Sequence, residues 1–234
     1  MTGTDLPDDR CHVCGHLRFL HDDVLWPELI EAWQLAPAEV AYVNVQQGTR
    51  CEQCGANVRT QALARALVQA AGGSGPLELS VQPDGPLDRR VLEINEAGTL
   101  NPWLSRLRQH VLARYPACDI TQLPYPEGAF DLVVHSDTLE HVDDPHKALC
   151  ECRRVLAPGG ACVFTVPVIV GRMTRHRRGL PPSYHGHADC REPDFLVHSE
   201  FGADVWTGVF DAGFERCELV PFRYPSGLAI IAWR

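Results

Sequence analysis

An open α/β sheet of mostly parallel, buried strands, with a small metal-held unit on its N-terminal side, is the fold class this chain predicts. Three observations carry it. Residues 130–135 are a short apolar run rich in β-branched side chains, which suits a strand buried on both faces. Ala148, Leu149, Cys152, Val155 and Leu156 then recur at helical spacing, and residues 161–166 form another apolar run, so the pattern reads strand, helix, strand. Cys11-His12-Val13-Cys14-Gly15 and Cys51-Glu52-Gln53-Cys54-Gly55 are two matching CxxCG knuckles. Two intervening residues let both sulfurs face one ion, and the glycine lets the backbone turn back toward them.

The elements follow in chain order. At 234 residues, with 45% hydrophobic and 22% charged content, the chain is long enough for one sizeable core plus an appendage. It lacks an apolar run of about eighteen residues, and its first ten residues are acidic where a signal peptide is basic and then apolar, so the expected compartment is the cytoplasm, without membrane contact. Paired knuckles predict a closed Cys₄ zinc site at Cys11, Cys14, Cys51 and Cys54; His12, His16 or His21 replacing one ligand, or chance pairing of cysteines, are the alternatives. The other six cysteines are scattered and read mostly as small core residues.

Between the knuckles, Trp26, Leu29, Ile30 and Trp33 stand at helical spacing, and residues 41–45 read as a strand, so this insertion is expected to be ordered. Asn57 or Thr60 caps a helix over 61–71 that stops at Gly72-Gly73 and joins the zinc unit to the sheet. Residues 72–86, rich in Gly and Pro, read as linker or edge structure, and the division falls at 1–72 and 73–234. The sheet opens with a strand over 89–94, a turn at 95–99 and a helix over 103–109. A strand over 110–115 follows, with no room for a helix before Asp119. Asp143, Asp144 and Pro145 start the helix that Pro158-Gly159-Gly160 ends. Residues 171–199 form a long segment of the kind that is functional or disordered. A helix over 201–212 and strands over 217–220 and 228–233 close the chain as an antiparallel edge hairpin.

A loop at the carboxyl end of a parallel strand is where open α/β sheets bind ligands, which puts Ser136, Asp137, Glu140 and His141 in position for chemistry. Here FDLVVHSDTLEHV, followed by RRVLAPGG, resembles the fourth and fifth motifs of class I S-adenosylmethionine-dependent methyltransferases, in the small-molecule branch with a Leu-Glu-His-Val box. The resemblance implies a Rossmann-like sheet, S-adenosylmethionine as cofactor and a small-molecule methyl acceptor. It assigns Glu93, Asn95, Ala97 and Gly98 to the first motif, with one glycine where the family has three. Asp119 and Ile120 take the adenine-binding positions and Ser136 lines the cofactor side. Arg114 stands where the family carries the acid that holds the ribose. Residues 171–199 correspond to the family's substrate-facing insertion.

His141 and His185 are the candidate bases for an oxygen or nitrogen acceptor, since methyl transfer from a sulfonium needs alignment and a deprotonated nucleophile. Asp137, Glu140 and His141 match a set that holds a divalent cation in some quinone methyltransferases, and also read as structural or pocket-lining residues. His185, His187, Asp189 and Cys190 read as solvated loop residues, substrate contacts or a metal cluster, in that order. The formal charge of −9 disfavours a polyanionic substrate. An RNA base methyltransferase, supported by the arginines of 172–178, and a non-catalytic binding relative, supported by the glycine-poor first motif, are the rival readings. Protein prepared without chelator should carry about one zinc per chain, with elemental analysis as the measurement; a metal-free preparation would refute the Cys₄ reading.

Overall fold

The parallel strands predicted from apolar runs form the centre of a six-stranded sheet. The computed structural model describes residues 9–185 and 189–234, so His187, and with it part of the 185–190 cluster, lies outside the described residues. In chain order the elements are β1 (Phe19–His21), α1 (Pro27–Ala32), α2 (Pro37–Gly48), β2 (Thr49–Cys51), α3 (Val58–Ala70), α4 (Leu77–Ser80), β3 (Val91–Ile94), α5 (Asn101–Leu104) and β4 (His110–Ala113). Then come β5 (Phe130–Ser136), α6 (Pro145–Val155), β6 (Leu156–Thr165), β7 (Val168–Ile169), β8 (Arg175–His176), β9 (Ser199–Gly202), α7 (Val205–Asp211), β10 (Arg216–Phe222) and β11 (Gly227–Trp233). Strand order in the sheet is β10-β11-β6-β5-β3-β4. β4, β3, β5 and β6 run parallel, and β11 is antiparallel to both β6 and β10. This is the Rossmann-like sheet with a C-terminal antiparallel edge hairpin that the sequence resemblance implies. Among the described residues the sheet ends at β4, where the missing helix after residue 115 leaves nothing to carry the chain to a further strand.

Alternation along the strands divides the core into two layers. Val91, Leu132, Val134, Val163 and Ile231 face α3, while Leu92, Ile94, Val133, Phe164 and Ile230 face α6 and α7. Helix α3 is buried along almost its whole length and lies across β11, β6 and β10. Asn57 caps it, its side-chain oxygen accepting from Thr60 N at 2.9 Å. Asp144 caps α6 in the same way through Lys147 N. Cys11, Val13 and Cys51 share the α3 layer, so the knuckles pack directly on the core. Among the described residues, no helix is long and apolar enough to cross a membrane.

Several boundaries differ from the sequence expectations. Residues 41–45 lie inside α2 rather than in a strand; Pro37 sits in its first turn, and buried Asn44 accepts from Val24 N and Leu25 N, a local contact that β-propensity does not register. The linker of 72–86 contains α4, docked on the first knuckle through Leu77 N to His12 O and Glu78 N to Val13 O. Helix α5 stops at Leu104, well short of residue 109. Residues 201 and 202 pair as part of β9, so α7 starts only at Val205. Pro158-Gly159-Gly160 lies within β6; Gly159 takes φ +76°, and a Cβ on Gly160 would meet Asp131 O at 2.8 Å.

Asp131 ties β5 to the residue that precedes β3. It accepts from Arg90 N and Nε on one oxygen and from Arg90 Nη2 on the other, at 3.0, 3.1 and 2.6 Å. These hydrogen bonds from Arg90 hold its carboxyl below the ordinary aspartate value of 3.8. Such a group adds stability that is complete above that value and is lost as pH falls through the lower folded one. Both side chains are partly exposed, so Asp131→Asn should cost about 1 kcal/mol near pH 7, with the gap between parent and variant narrowing as pH falls below the ordinary aspartate value. Urea unfolding near neutral pH and below that value measures this; an equal gap at both would contradict it.

Candidate functional site

The four knuckle cysteines converge. Cys11 Sγ lies 3.5 Å from Cys54 Sγ, and Cys14 Sγ lies 3.7 Å from Cys51 Sγ. All four sulfurs lie within 4.8 Å of one another. Sulfurs held at about 2.3 Å around a tetrahedral ion stand roughly 3.8 Å apart, so the geometry suits zinc. The glycines that follow have φ +77° and +73°, and Gly15 N and Gly55 N each return to the first cysteine's carbonyl. Cys11 is pulled down to about 5 by hydrogen bonding from Cys54, while burial pushes Cys14 up to about 12. A cation resolves this conflict by stabilising all the thiolates together. His16 faces Glu52 and His21 faces Thr49 and Asp23, so neither joins the sulfurs. His12 packs edge-on against Phe222.

The second site is a cavity of about 1090 Å³ at the carboxyl ends of β3 and β5, where the strand order reverses. Asn95 lines it from the turn after β3, with φ +55°, its side chain accepting from Tyr115 N at 2.9 Å. Glu93 holds that turn from below. It is fully buried, accepts from Ala97 N at 2.9 Å and from Asn101 Nδ2 at 2.8 Å, and stands 2.7 Å from His110 Nε2. Asp119 and Ile120 line the cavity beyond β4, and Asp119 Oδ1 accepts from Thr121 N and Oγ1. The remaining first-motif and strand residues are placed elsewhere. Ala97 is buried, Gly98 faces Thr60 so closely that a Cβ would meet its Oγ1 at 2.7 Å, and Ser136 bonds Thr165 Oγ1 at 2.8 Å. Arg114 is paired with Glu96.

Arg59, which the sequence reading passed over, enters the cavity from the first turn of α3 and pairs with Asp137. Asp137 takes φ +47°, an uncommon conformation for a residue with a side chain. Burial pushes its carboxyl above the ordinary value, and Arg59 opposes that shift. Arg59 Nε and Asp137 Oδ1 are buried without hydrogen-bond partners. A cation and an anion side by side, each with spare capacity, suit a zwitterionic amino-acid group such as the methionine end of S-adenosylmethionine.

Across the cavity, His141 and His185 meet with ring centroids 5.2 Å apart. His141 Nδ1 donates to Leu196 O at 2.9 Å, which leaves Nε2 as the lone-pair nitrogen, 3.7 Å from Glu140 Oε1. Burial lowers both imidazoles, His185 to about 3. Asp137, which with Glu140 and His141 offered a possible cation set beside the structural reading, is turned to Arg59. Trp26, Leu29, Trp33 and Val43 build an apolar wall from the insertion between the knuckles, and Trp33 Nε1 donates to Ser183 Oγ at 2.8 Å. Arg172 fastens this wall to the chain after β7 through Glu39, Trp33 O and Gln34 O.

Comparison with known proteins meets this geometry at its centre: the methyltransferase domain family matches residues 88–164, the span from before β3 to β6. Over residues 88–164 this chain is similar to methyltransferase domains. It is similar to a Mycolicibacterium smegmatis protein named "Probable S-adenosylmethionine-dependent methyltransferase", 41% identical over 107 residues, which make up 43% of this chain and 42% of that one. It is also similar to the Bordetella avium ubiquinone/menaquinone biosynthesis C-methyltransferase, 30% identical over 122 residues, 52% of this chain and 41% of the relative. The chain thus spans about two-fifths of the length of both. An S-adenosylmethionine dependent methyltransferase from Mesorhizobium loti superposes with a TM-score of 0.43 at 16% identity, covering 74% of this chain and 98% of that chain.

Removing the cation of the Arg59–Asp137 pair leaves a carboxylate in a poorly hydrated place. Arg59→Met should therefore destabilise the methyltransferase domain by about 3 kcal/mol, the low end for breaking a buried pair, and adding Asp137→Asn should restore part of the loss. Denaturant unfolding of the parent, single and double variants reads both effects; a single variant as stable as the parent would remove the pair from the account.

Proposed function

We propose that this chain transfers the methyl group of S-adenosylmethionine to an oxygen or nitrogen of a small metabolite. The observation that carries the reading is one cavity with a charged end at Arg59 and Asp137, a shelf at Asn95, Asp119 and Ile120, and a histidine-lined far side closed by apolar residues. Arg59 and Asp137 would hold the amino-acid end of the cofactor, and Asp119 with the backbone of Ile120 its adenine. Glu93, Ala97, Gly98 and Ser136 would shape this subsite from behind through the contacts described above. The bound cofactor supplies an electrophilic methyl group on a sulfonium. The protein's part is to align an acceptor with it, exclude water and keep the acceptor nucleophilic, with neutral His141 as the stronger base and His185, lowered to about 3, as a neutral hydrogen-bonding partner beside the acceptor.

In this reading residues 1–72 are the zinc unit and connecting helix, and 73–234 the transferase unit. Zinc at Cys11, Cys14, Cys51 and Cys54 is structural, fixing the ends of the insertion that walls the acceptor side. The RNA reading loses its main support, because the arginines of 172–178 are engaged within the protein: Arg172 with Glu39, Arg175 and Arg177 with Glu200, Arg178 with Asp143. Small-molecule acceptors also agree with the name of the Bordetella relative, a ubiquinone/menaquinone biosynthesis C-methyltransferase.

Titration calorimetry with S-adenosylmethionine should show one site, weakened by about 1–3 kcal/mol in Asp119→Ala if a partly buried hydrogen bond is lost. No binding would support the non-catalytic relative instead, and unchanged affinity in a folded Asp119→Ala would move the adenine elsewhere. Incubation with isotopically labelled cofactor and a metabolite extract, followed by mass spectrometry, should reveal the labelled acceptor.

A further inference from the structure

Glu140 is the least satisfied group among the described residues of the site. It lies in the turn after β5 at 1% exposure, and neither carboxylate oxygen has a hydrogen-bond partner. Buried carboxylates are paired, protonated or bound to metal. Among the described residues no cation side chain hydrogen-bonds it, Arg59 being engaged by Asp137, and burial pushes its carboxyl well above the ordinary value, a shift that a bound cation would reverse. What faces it is a pair of imidazole nitrogens, His141 Nε2 at 3.7 Å and His185 Nδ1 at 3.9 Å from Oε1. Those separations are too long for hydrogen bonds. They are close to the roughly 3.0–3.5 Å between ligand atoms that share one ion at about 2.1 Å. One ligand atom from each of Glu140, His141 and His185 falls within 4.8 Å of the others.

The surroundings are also those of a ligand set. His141 donates its Nδ1–H to Leu196 O, the outer bond that fixes a metal-binding imidazole in the tautomer presenting Nε2. His185 comes from a separate segment, steadied by Trp33 at 5.6 Å and by His185 N donating to Phe195 O. His141 and His185 both line the cavity, so an ion between them would keep its open positions on the acceptor side. Burial keeps both rings neutral, as ligation requires.

We propose that Glu140, His141 and His185 form a binding site for a divalent first-row transition-metal ion whose open positions take oxygen from the methyl acceptor. Two imidazoles and one carboxylate favour manganese, iron(II), cobalt, nickel or zinc over magnesium or calcium, which prefer oxygen throughout. The acceptor part rests on the methyltransferase reading; the metal part does not. In this arrangement His141 and His185 act on the acceptor through the ion rather than as free bases.

The test uses the full chain with its cysteine site loaded with zinc, titrated with cobalt(II) chloride and followed by visible absorption. One added equivalent should appear with ligand-field bands and without thiolate-to-cobalt charge transfer. Glu140→Gln and His185→Ala should each weaken it at least about tenfold. His176→Ala, in the exposed Asp143, His176 and His198 cluster, should leave it unchanged. No cobalt uptake by the parent, or uptake lost in His176→Ala and kept in Glu140→Gln, overturns the site. Because the parent titration alone is decisive, a misfolded variant does not shelter the proposal. Catechol, a bidentate oxygen donor, should then shift the cobalt bands; an unshifted spectrum overturns the acceptor part. Neither readout involves S-adenosylmethionine, so failure here is distinguishable from failure of the methyl-transfer reading.

Discussion

The ion pair between Arg59 and Asp137 is the contact on which the described site depends. Taking two charges out of water costs several kcal/mol per ion unless each finds the other in good geometry, so both partners must be delivered with little freedom. Arg59 is delivered by α3, whose start is set by the Asn57 cap three residues beyond Cys54. Asp137 is delivered by β5, and its left-handed backbone is held by its own N–H donating to Thr165 O. That conformation turns the chain out of the sheet and sends Glu140 and His141 across the cavity. The knuckles, the buried helix and the strand end are thereby mechanically one unit.

A second constraint replaces the glycines that the first motif lacks. With Asn95 and Glu96 both at positive φ, the turn needs support that a glycine-rich one does without. Buried Glu93 gives it by accepting from Ala97 N and Asn101 Nδ2, and Asn95 adds a bond from Tyr115 N. Gly98, which the resemblance assigns to the first motif, has a further role here: it lets α3 approach, with Thr60 where a side chain would otherwise stand.

The parts of this architecture that were legible in the sequence are those governed by local pattern. Buried parallel strands are apolar without alternation, so β3, β5 and β6 stood out, and the CxxCG spacing brings its sulfurs together almost regardless of what surrounds it. Capping chemistry placed Asn57 and Asp144 correctly. What was not legible depends on distant partners. Residues 41–45 carry β-branched and aromatic side chains, yet Asn44 is satisfied by the chain at Val24 and Leu25 only if α2 is helical. Arg59 is an ordinary residue in an Ala- and Leu-rich helix until the fold sets Asp137 beside it. His185 was read both with His187 and, as a second candidate base, with His141; the two rings do meet, while Glu140 and Trp33 as its further neighbours depend on the fold.

The insertion that walls one side of the cavity, residues 15–50, begins and ends at cysteines of the same four-sulfur cluster. Seen from polymer physics it is a 36-residue loop closed on itself, whose closure entropy is about 3 kcal/mol and grows only logarithmically with length. Doubling that loop would add about 0.6 kcal/mol, a small fraction of a domain's stability. The sheet, α3 and the charged end of the cavity lie outside the loop and need not answer to its length. The wall is therefore the part of the cavity that can be lengthened, shortened or re-sequenced at little thermodynamic cost, which makes the shape of that side separable from the charged end.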